Sequence, residues 1–517
     1  MASQTGGGSK ALFATVIGLV LLGVLLDSEA IGWVIGIVVL LLSLVLMSRV
    51  PLRTSLLTLM FFALTLENPA EQFASDMYHT PFKTVGALLL NHLNTTTGVR
   101  PLFMSGMDIL LGALILIGWS RERSGSKIDR AGRVPTPKPL VRLALISLGG
   151  TAFVMVNGML HGGDFGWALW QVDRVVYLPI IFLLCHWGLR GPADHVALGK
   201  VVIAAAAVRA TMATIIIHTV YYPKDENGIV SILAYATSHN DSILFAAAFV
   251  LLLSLILCRV TGKARRLVWI VMPILILGMI SNHRRMVWVQ VAMVFLTLYL
   301  TTPSNPIKVK VRKILTVVTP IFIVYCLAGW NSGSRLFKPV KIIRSIVDSK
   351  SDPSTLWRDI ENFDLIETIK AGPIFGQGYG HKYLEVVMLP PVDYTLEFYL
   401  PHNSLLGMLS YSGYFGFAAM TMLWVAGAYF AMRAYYATKD PIVRATGLSC
   451  FGVVLVYLIQ CWGDLGLGAP VGVWLVAPAL ATAGKAAAAF GGWSDAKKPA
   501  AQPSVAQTAQ ARAPYPR

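Results

Sequence analysis

LVWIVMPILILGMISNHRRMVWVQVAMVFLTLYLTT, residues 267–302, decides the class of this chain. Two apolar runs, 267–282 and 286–302, meet across the turn Ser281-Asn282-His283-Arg284-Arg285. Each approaches the roughly 20 apolar residues that cross a hydrocarbon core about 30 Å thick. Runs of the same kind recur near 11–26, 31–48, 52–66, 101–119, 140–158, 168–187, 197–219, 242–258, 314–330, 403–431, 442–462 and 469–484, giving about fourteen in all. The sequence therefore predicts an all-α, polytopic integral membrane protein. Composition agrees: of 517 residues, 55% are hydrophobic and 13% charged, where soluble domains carry about 25% charged residues. Mean hydropathy is +0.63. The first run lacks a small-residue cleavage site and leads straight into another, so no cleaved signal peptide is expected.

A net charge of +17 would suit a nucleic-acid binder, but its distribution argues against one. Lys and Arg collect in alternate short loops, at 121–138, 259–266, 308–313 and 433–444, while 161–167 and 462–470 carry none. This is the positive-inside pattern, and it places both termini in the cytoplasm. The long stretch 331–401, a smaller one at 67–100 and the turn 281–285 then lie outside. The expected organisation is a helical membrane domain over 1–484, the external loop 331–401 inserted in it, and a disordered cytoplasmic tail at 485–517 rich in Ala, Pro, Gln and Lys. The five cysteines lie in or at the ends of apolar runs, with neither disulfide nor metal-ligand spacing. They read as packing residues.

Several residues break the topology rule. Arg284 and Arg285 stand adjacent in an external turn, against the charge bias. Such arginines either snorkel to lipid headgroups or clamp an anion, because guanidinium forks match phosphate oxygens. Arg209 sits inside 197–219 with no acid beside it in sequence, and Arg174 follows Asp173 in the outer half of the preceding run. Ionisable residues within membrane spans mark sites or pathways, although Asp173 could simply neutralise Arg174. In the loop, Trp357-Arg358 precedes an amphipathic stretch with Ile360, Phe363, Ile366 and Ile369 at helical spacing and Asp359, Glu361, Asp364 and Glu367 on other faces. The run Gly376-Gln377-Gly378-Tyr379-Gly380 lacks the strand-then-helix context of a dinucleotide fingerprint. It reads as a turn that lets backbone approach a ligand or the membrane. His402, between Pro401 and the capping pair Asn403-Ser404, opens the next run. A histidine at that level among arginines suits either a proton acceptor near a bound phosphate or a cation that binds the phosphate itself. The external segments show no acidic cluster with metal-ligand spacing, so neither a metal nor another cofactor is expected.

Taken together, these features resemble the O-antigen ligase and O-antigen polymerase superfamily of bacterial membrane glycosyltransferases. The resemblance rests on Arg284-Arg285 opening a span, on Arg358 in a long outer loop, and on the turn 373–380. It also rests on His402-Asn403-Ser404-Leu405-Leu406 leading into Ser412-Gly413-Tyr414-Phe415-Gly416. It covers about 270–430. What it implies is a membrane glycosyltransferase C-class fold in the bacterial inner membrane with its active site on the periplasmic face. The implied donor is an undecaprenyl-diphosphate-linked glycan, and the acceptor a lipid-linked sugar or lipid A-core. The resemblance places the catalytic histidine on His402, the loop arginine on Arg358, and the span-end arginine on Arg285 or its neighbour Arg284. Arg209, Arg174, Asn403, Gly378 and Tyr379 become substrate-binding candidates, and membrane lipid, a polysaccharide flippase and a chain-length regulator become partners.

Two activities share that site. A polymerase would build a surface polysaccharide, O-antigen or exopolysaccharide, by transferring a growing chain onto a new lipid-linked repeat; a ligase would move the finished glycan into lipopolysaccharide or onto another acceptor. The span count and the segment 67–100 favour polymerase. A transporter or flippase belongs to another class, with polar residues near the midplane within internal repeats. No such repeat is visible here, and the candidate residues gather on one face.

Overall fold

The computed structural model describes residues 14–16, 18–19, 29–66, 83–94, 103–125, 127–130, 132–219, 237–337, 339–340, 343–344, 353–389 and 398–495. In chain order its helices are α1 Glu29–Arg49, α2 Leu52–Thr65, α3 Lys83–Leu90, α4 Gly106–Arg123, α5 Lys127–Arg130, α6 Lys138–Leu160, α7 Phe165–Gly188 and α8 Pro192–Thr219. They continue with α9 Asn240–Leu257, α10 Lys263–Ser281, α11 Arg285–Thr301, α12 Pro306–Gly329, α13 Pro353–Ala371, α14 Ser404–Ala437, α15 Pro441–Gly463 and α16 Pro470–Ala489. No strand occurs among the described residues, where His92 and Ser105 form an isolated bridge.

Among the described residues eight helices are long and apolar enough to cross a membrane: α6, α8, α9, α10, α12, α14, α15 and α16. A ninth is α7 if its halves, bent by 43° at Asp173–Val175, form one span. The chain is thus a polytopic, all-helical membrane protein, with fewer full-length spans among the described residues than the expected fourteen. Part of the difference is length. The 14 residues of α2 reach only about 21 Å at 1.5 Å per residue, short of a core about 30 Å thick, while the 17 of α11 reach about 26 Å, close to the 18-residue α9. In α4, Asp108, Arg121, Glu122 and Arg123 interrupt the apolar run. Most of the expected span 11–26 and of the segment 67–100 lies outside the described residues.

The interior is built around α16. Its sequence is apolar all round and rich in Ala and Gly, the pattern of a helix enclosed by others, and small side chains let neighbours approach closely. It packs against α14, α15, α7 and α9 and is buried along almost its whole length. Cys185, Cys450 and Cys461 pack in the same core. The expected tail begins later than 485. Helix α16 runs to Ala489, Trp493 stacks edge-on against Phe430 at 5.1 Å, and Arg433 Nε donates to the Gly492 carbonyl at 2.8 Å. The remainder of that tail, 496–517, lies outside the described residues.

Helix α14 is broken at Gly413, whose φ of 58° and ψ of −175° suit glycine. A break inside a membrane helix exposes backbone groups that lipid cannot satisfy. Residues 373–378 satisfy them here. The Tyr414 and Phe415 N–H groups donate to the carbonyls of Pro373 and Ile374 at 2.8 and 3.0 Å, while Gln377 and Gly378 N–H donate to Ser410 and Tyr411 at 3.2 and 2.8 Å. A Cβ on Gly378 would overlap the Gly158 backbone of α6. The glycine run therefore lets backbone approach backbone, stitching the loop between α6 and α14, where the sequence suggested approach to a ligand or the membrane.

Candidate functional site

One cavity of ≈ 610 Å³ gathers five of the residues that sequence singled out. Four segments build it: the turn into α11, helix α13, the start of α14 and the end of α15, with His239 before α9 completing the wall. Arg284, Arg285, Arg358, His402 and Asn403 all line it.

The arginine doublet is aimed by a constrained turn. Asn282 is fully buried and bonds Thr237 and Ser242 at 3.0 and 3.3 Å. His283 then takes a left-handed φ of 55°, uncommon outside glycine. The chain reverses there, so that Arg284 caps α11 and Arg285 is its first residue. Two guanidiniums at the positive end of a helix make a strong anion-binding corner.

His402 is held from behind by Glu361 of α13. Both Glu361 carboxylate oxygens accept from the His402 backbone N–H at 3.1 Å, and Oε1 lies 3.3 Å from Nδ1. Glu361 is 0% exposed. With Nδ1–H donating to this carboxylate, Nε2 carries the lone pair and is the free acceptor of the ring. Trp357 packs edge-on against the imidazole at 4.8 Å. Asn403 caps α14 by accepting from Leu406 N–H at 3.2 Å and donates through Nδ2 to Asn362 at 3.0 Å. Its role is to join α13 to α14 at the cavity floor.

Asp464, just past α15, ties the cations together. Its carboxylate meets His239 Nδ1 at 2.5 Å and Arg358 Nη2 at 4.0 Å. Burial opposes its ionisation, but His239, Arg358 and His402 outweigh that and hold it well below the usual carboxylate range. Arg358 is thus oriented by an anion that cannot itself move far.

The other candidates fall elsewhere. Arg209, 1% exposed, forms a two-pronged ion pair with Asp241 at 2.8 and 2.8 Å, joining α8 to the start of α9 away from the cavity. Gly378 packs on α6, and Tyr379 is buried with its hydroxyl 3.6 Å from Met420 sulfur. Arg174 lies on α7 at its bend, with its side chain outside the described residues; its neighbour Asp173 stands 3.7 Å from His92.

Glu361, Asp464 and His239 were not singled out in sequence. On α13 the expected apolar face is partly inverted: Phe363 and Ile366 are exposed, while Glu361, Asp364 and Thr368 are buried. These three polar residues fall at i, i+3 and i+7, a helical stripe. They take the place of water for loop backbone, Asp364 accepting from Val386 and Val387 N–H and Thr368 from Leu384 N–H. That spacing was the available signal.

An anion-binding corner and a half-exposed imidazole facing one cavity can stabilise a leaving anion and take a proton from a nucleophile. No family model matches this chain, and no curated protein matches it.

Proposed function

We propose that this protein is a membrane glycosyltransferase of the O-antigen ligase and polymerase type. On this reading it polymerises a bacterial surface polysaccharide on the outer face of the inner membrane. The observation that carries the reading is the single cavity in which Arg284, Arg285 and Arg358 stand with His402 backed by buried Glu361.

The donor is a glycan on undecaprenyl diphosphate, already activated by its leaving group. Arg285, Arg284 and Arg358 hold the diphosphate and stabilise the charge that grows on it as the anomeric C–O bond breaks. The acceptor hydroxyl attacks from the opposite face while His402 Nε2 removes its proton, so the new glycosidic bond has inverted configuration. Glu361 fixes the tautomer and supports the imidazolium; Asp464 orients Arg358.

Transfer between lipid-linked donor and acceptor in liposomes, without a gradient, tests the reading. His402→Gln should slow transfer by roughly 10²–10⁴, the usual worth of a positioned general base. Wild type that makes no glycosidic product, yet moves lipid-linked sugar across the bilayer, rejects it. Deleting the gene separates the two activities: single repeats on carrier mean polymerase, full-length chains mean ligase.

A further inference from the structure

Helix α15 reaches a second cavity at the opposite end of the membrane helices. Ile459 and Trp462 line the first cavity, whereas Ile442, Thr446 and Val453 line the second. Ile442 and Trp462 are separated by about 30 Å of helix at 1.5 Å per residue. Helices α8, α9, α10, α15 and α16 enclose most of this second space, which measures ≈ 500 Å³.

Its character is amphipathic. The walls are aliphatic, with Leu198, Ile203, Leu251, Leu267 and Leu475 among them. Lys200 and Lys263 also line it, and both are exposed, as are the apolar rim residues Val196 and Ile442. An opening with both cations and apolar side chains at its edge suits the boundary between headgroups and hydrocarbon. Inside, His195 and Thr482 are 7% and 5% exposed, and His195 Nε2 and Thr482 Oγ1 have no hydrogen-bond partner among the described residues. Buried polar atoms normally have partners, so these two mark a place where a ligand supplies them.

We propose that this cavity binds an anionic phospholipid, with an acyl chain along the aliphatic walls, the phosphate at Lys200 and Lys263, and glycerol-ester oxygens against His195 and Thr482. A soluble metabolite would leave the walls unfilled, and a neutral lipid would leave the two lysines without an anion. Basic side chains at a membrane surface favour anionic headgroups over zwitterionic ones. The site shares no residue with the transfer cavity, so it stands or falls independently of the proposed glycosyltransferase activity.

The test uses the purified full-length protein in detergent, offered phosphatidylglycerol or phosphatidylcholine, with native mass spectrometry and thermal unfolding as readouts. Wild type should retain phosphatidylglycerol in preference and gain thermal stability from it. Lys200→Gln combined with Lys263→Gln, both at exposed positions, should lower that preference by about tenfold or more. Gly199→Leu should displace the acyl chain and reduce retention of lipid, because a Cβ there meets only Leu251 Cδ1, at 3.5 Å. Equal retention of the two lipids by wild type would overturn the proposal. So would unchanged phosphatidylglycerol retention in both variants, or the same stabilisation from inorganic phosphate alone.

Discussion

Glu361→Gln tests the arrangement behind His402 most directly. The carboxylate accepts from the His402 backbone N–H through both oxygens and faces Nδ1 through one of them. Glutamine keeps the volume and can still accept with its single carbonyl oxygen. With that oxygen in the place of Oε1, which faces both groups, its NH₂ lies against the backbone N–H from which Oε2 now accepts; the opposite flip sets the NH₂ against Nδ1. If the NH₂ faces Nδ1, the imidazole must carry its proton on Nε2, and the acceptor lone pair points away from the cavity. The negative charge that would support an imidazolium also disappears. On the proposed mechanism, Glu361→Gln should therefore lower kcat by about 10²–10⁴, close to the effect of His402→Gln. That range corresponds to about 2.7–5.4 kcal/mol at 1.36 kcal/mol per decade. The assay is single-turnover transfer in liposomes with donor concentration varied. Donor binding should change little, because the arginines remain, and the double variant should be scarcely slower than either single one, since the two residues act as a unit. Near wild-type kcat in Glu361→Gln, or multiplicative losses in the double variant, would refute the positioning role.

Arg285→Ala and Arg358→Ala should each abolish most transfer while inserting normally. Lysine at either position should restore only part, lacking the planar fork; near-normal glycan synthesis by both alanine variants would return these arginines to lipid anchoring. Arg209→Ala should instead cost about 3–5 kcal/mol of stability by leaving Asp241 buried and unpaired, read as lost yield and thermal stability. Arg209→Met with Asp241→Leu should recover much of that loss, which a substrate-binding role would not allow. Asp464 should make stability depend on acid. Its folded-state pKa is depressed, so its contribution is present above the unfolded carboxylate value of about 3.9 and is lost as pH falls toward the folded value. Thermal unfolding followed downward from about pH 6 should decline less steeply in Asp464→Asn than in wild type.

Residues that violated a simple rule were legible in the sequence. Arg284 and Arg285 contradicted the charge bias, Arg358 was marked by the family resemblance and His402 by its place at the mouth of an apolar run, and all four meet in one cavity. Their partners were hidden for a physical reason. Glu361 and Asp464 look like ordinary solvent-facing acids until tertiary structure brings His402 and His239 to them. Arg209 lacked a neighbouring acid only in sequence; Asp241 reaches it from the next helix. The glycine run was visible, but its use depends on Gly413, where a helical pattern conceals a break. Span count was least legible: eight full-length spans stand among the described residues, most of the run 11–26 lies outside them, and apolar composition does not reveal that α2 is only 14 residues long.

The break at Gly413 has a mechanical consequence. His402 is mounted ahead of the stub 404–412, which is tied to residues 373–378, while the rest of α14 continues through the membrane below. Thickening or thinning of the bilayer is taken up by tilt in the long segment. Because the Tyr414 and Phe415 N–H groups bond the same loop that holds Ser410 and Tyr411, both sides of the joint are tied to residues 373–378. His402 is thus referenced to the loop 373–378 as well as to the membrane span of α14.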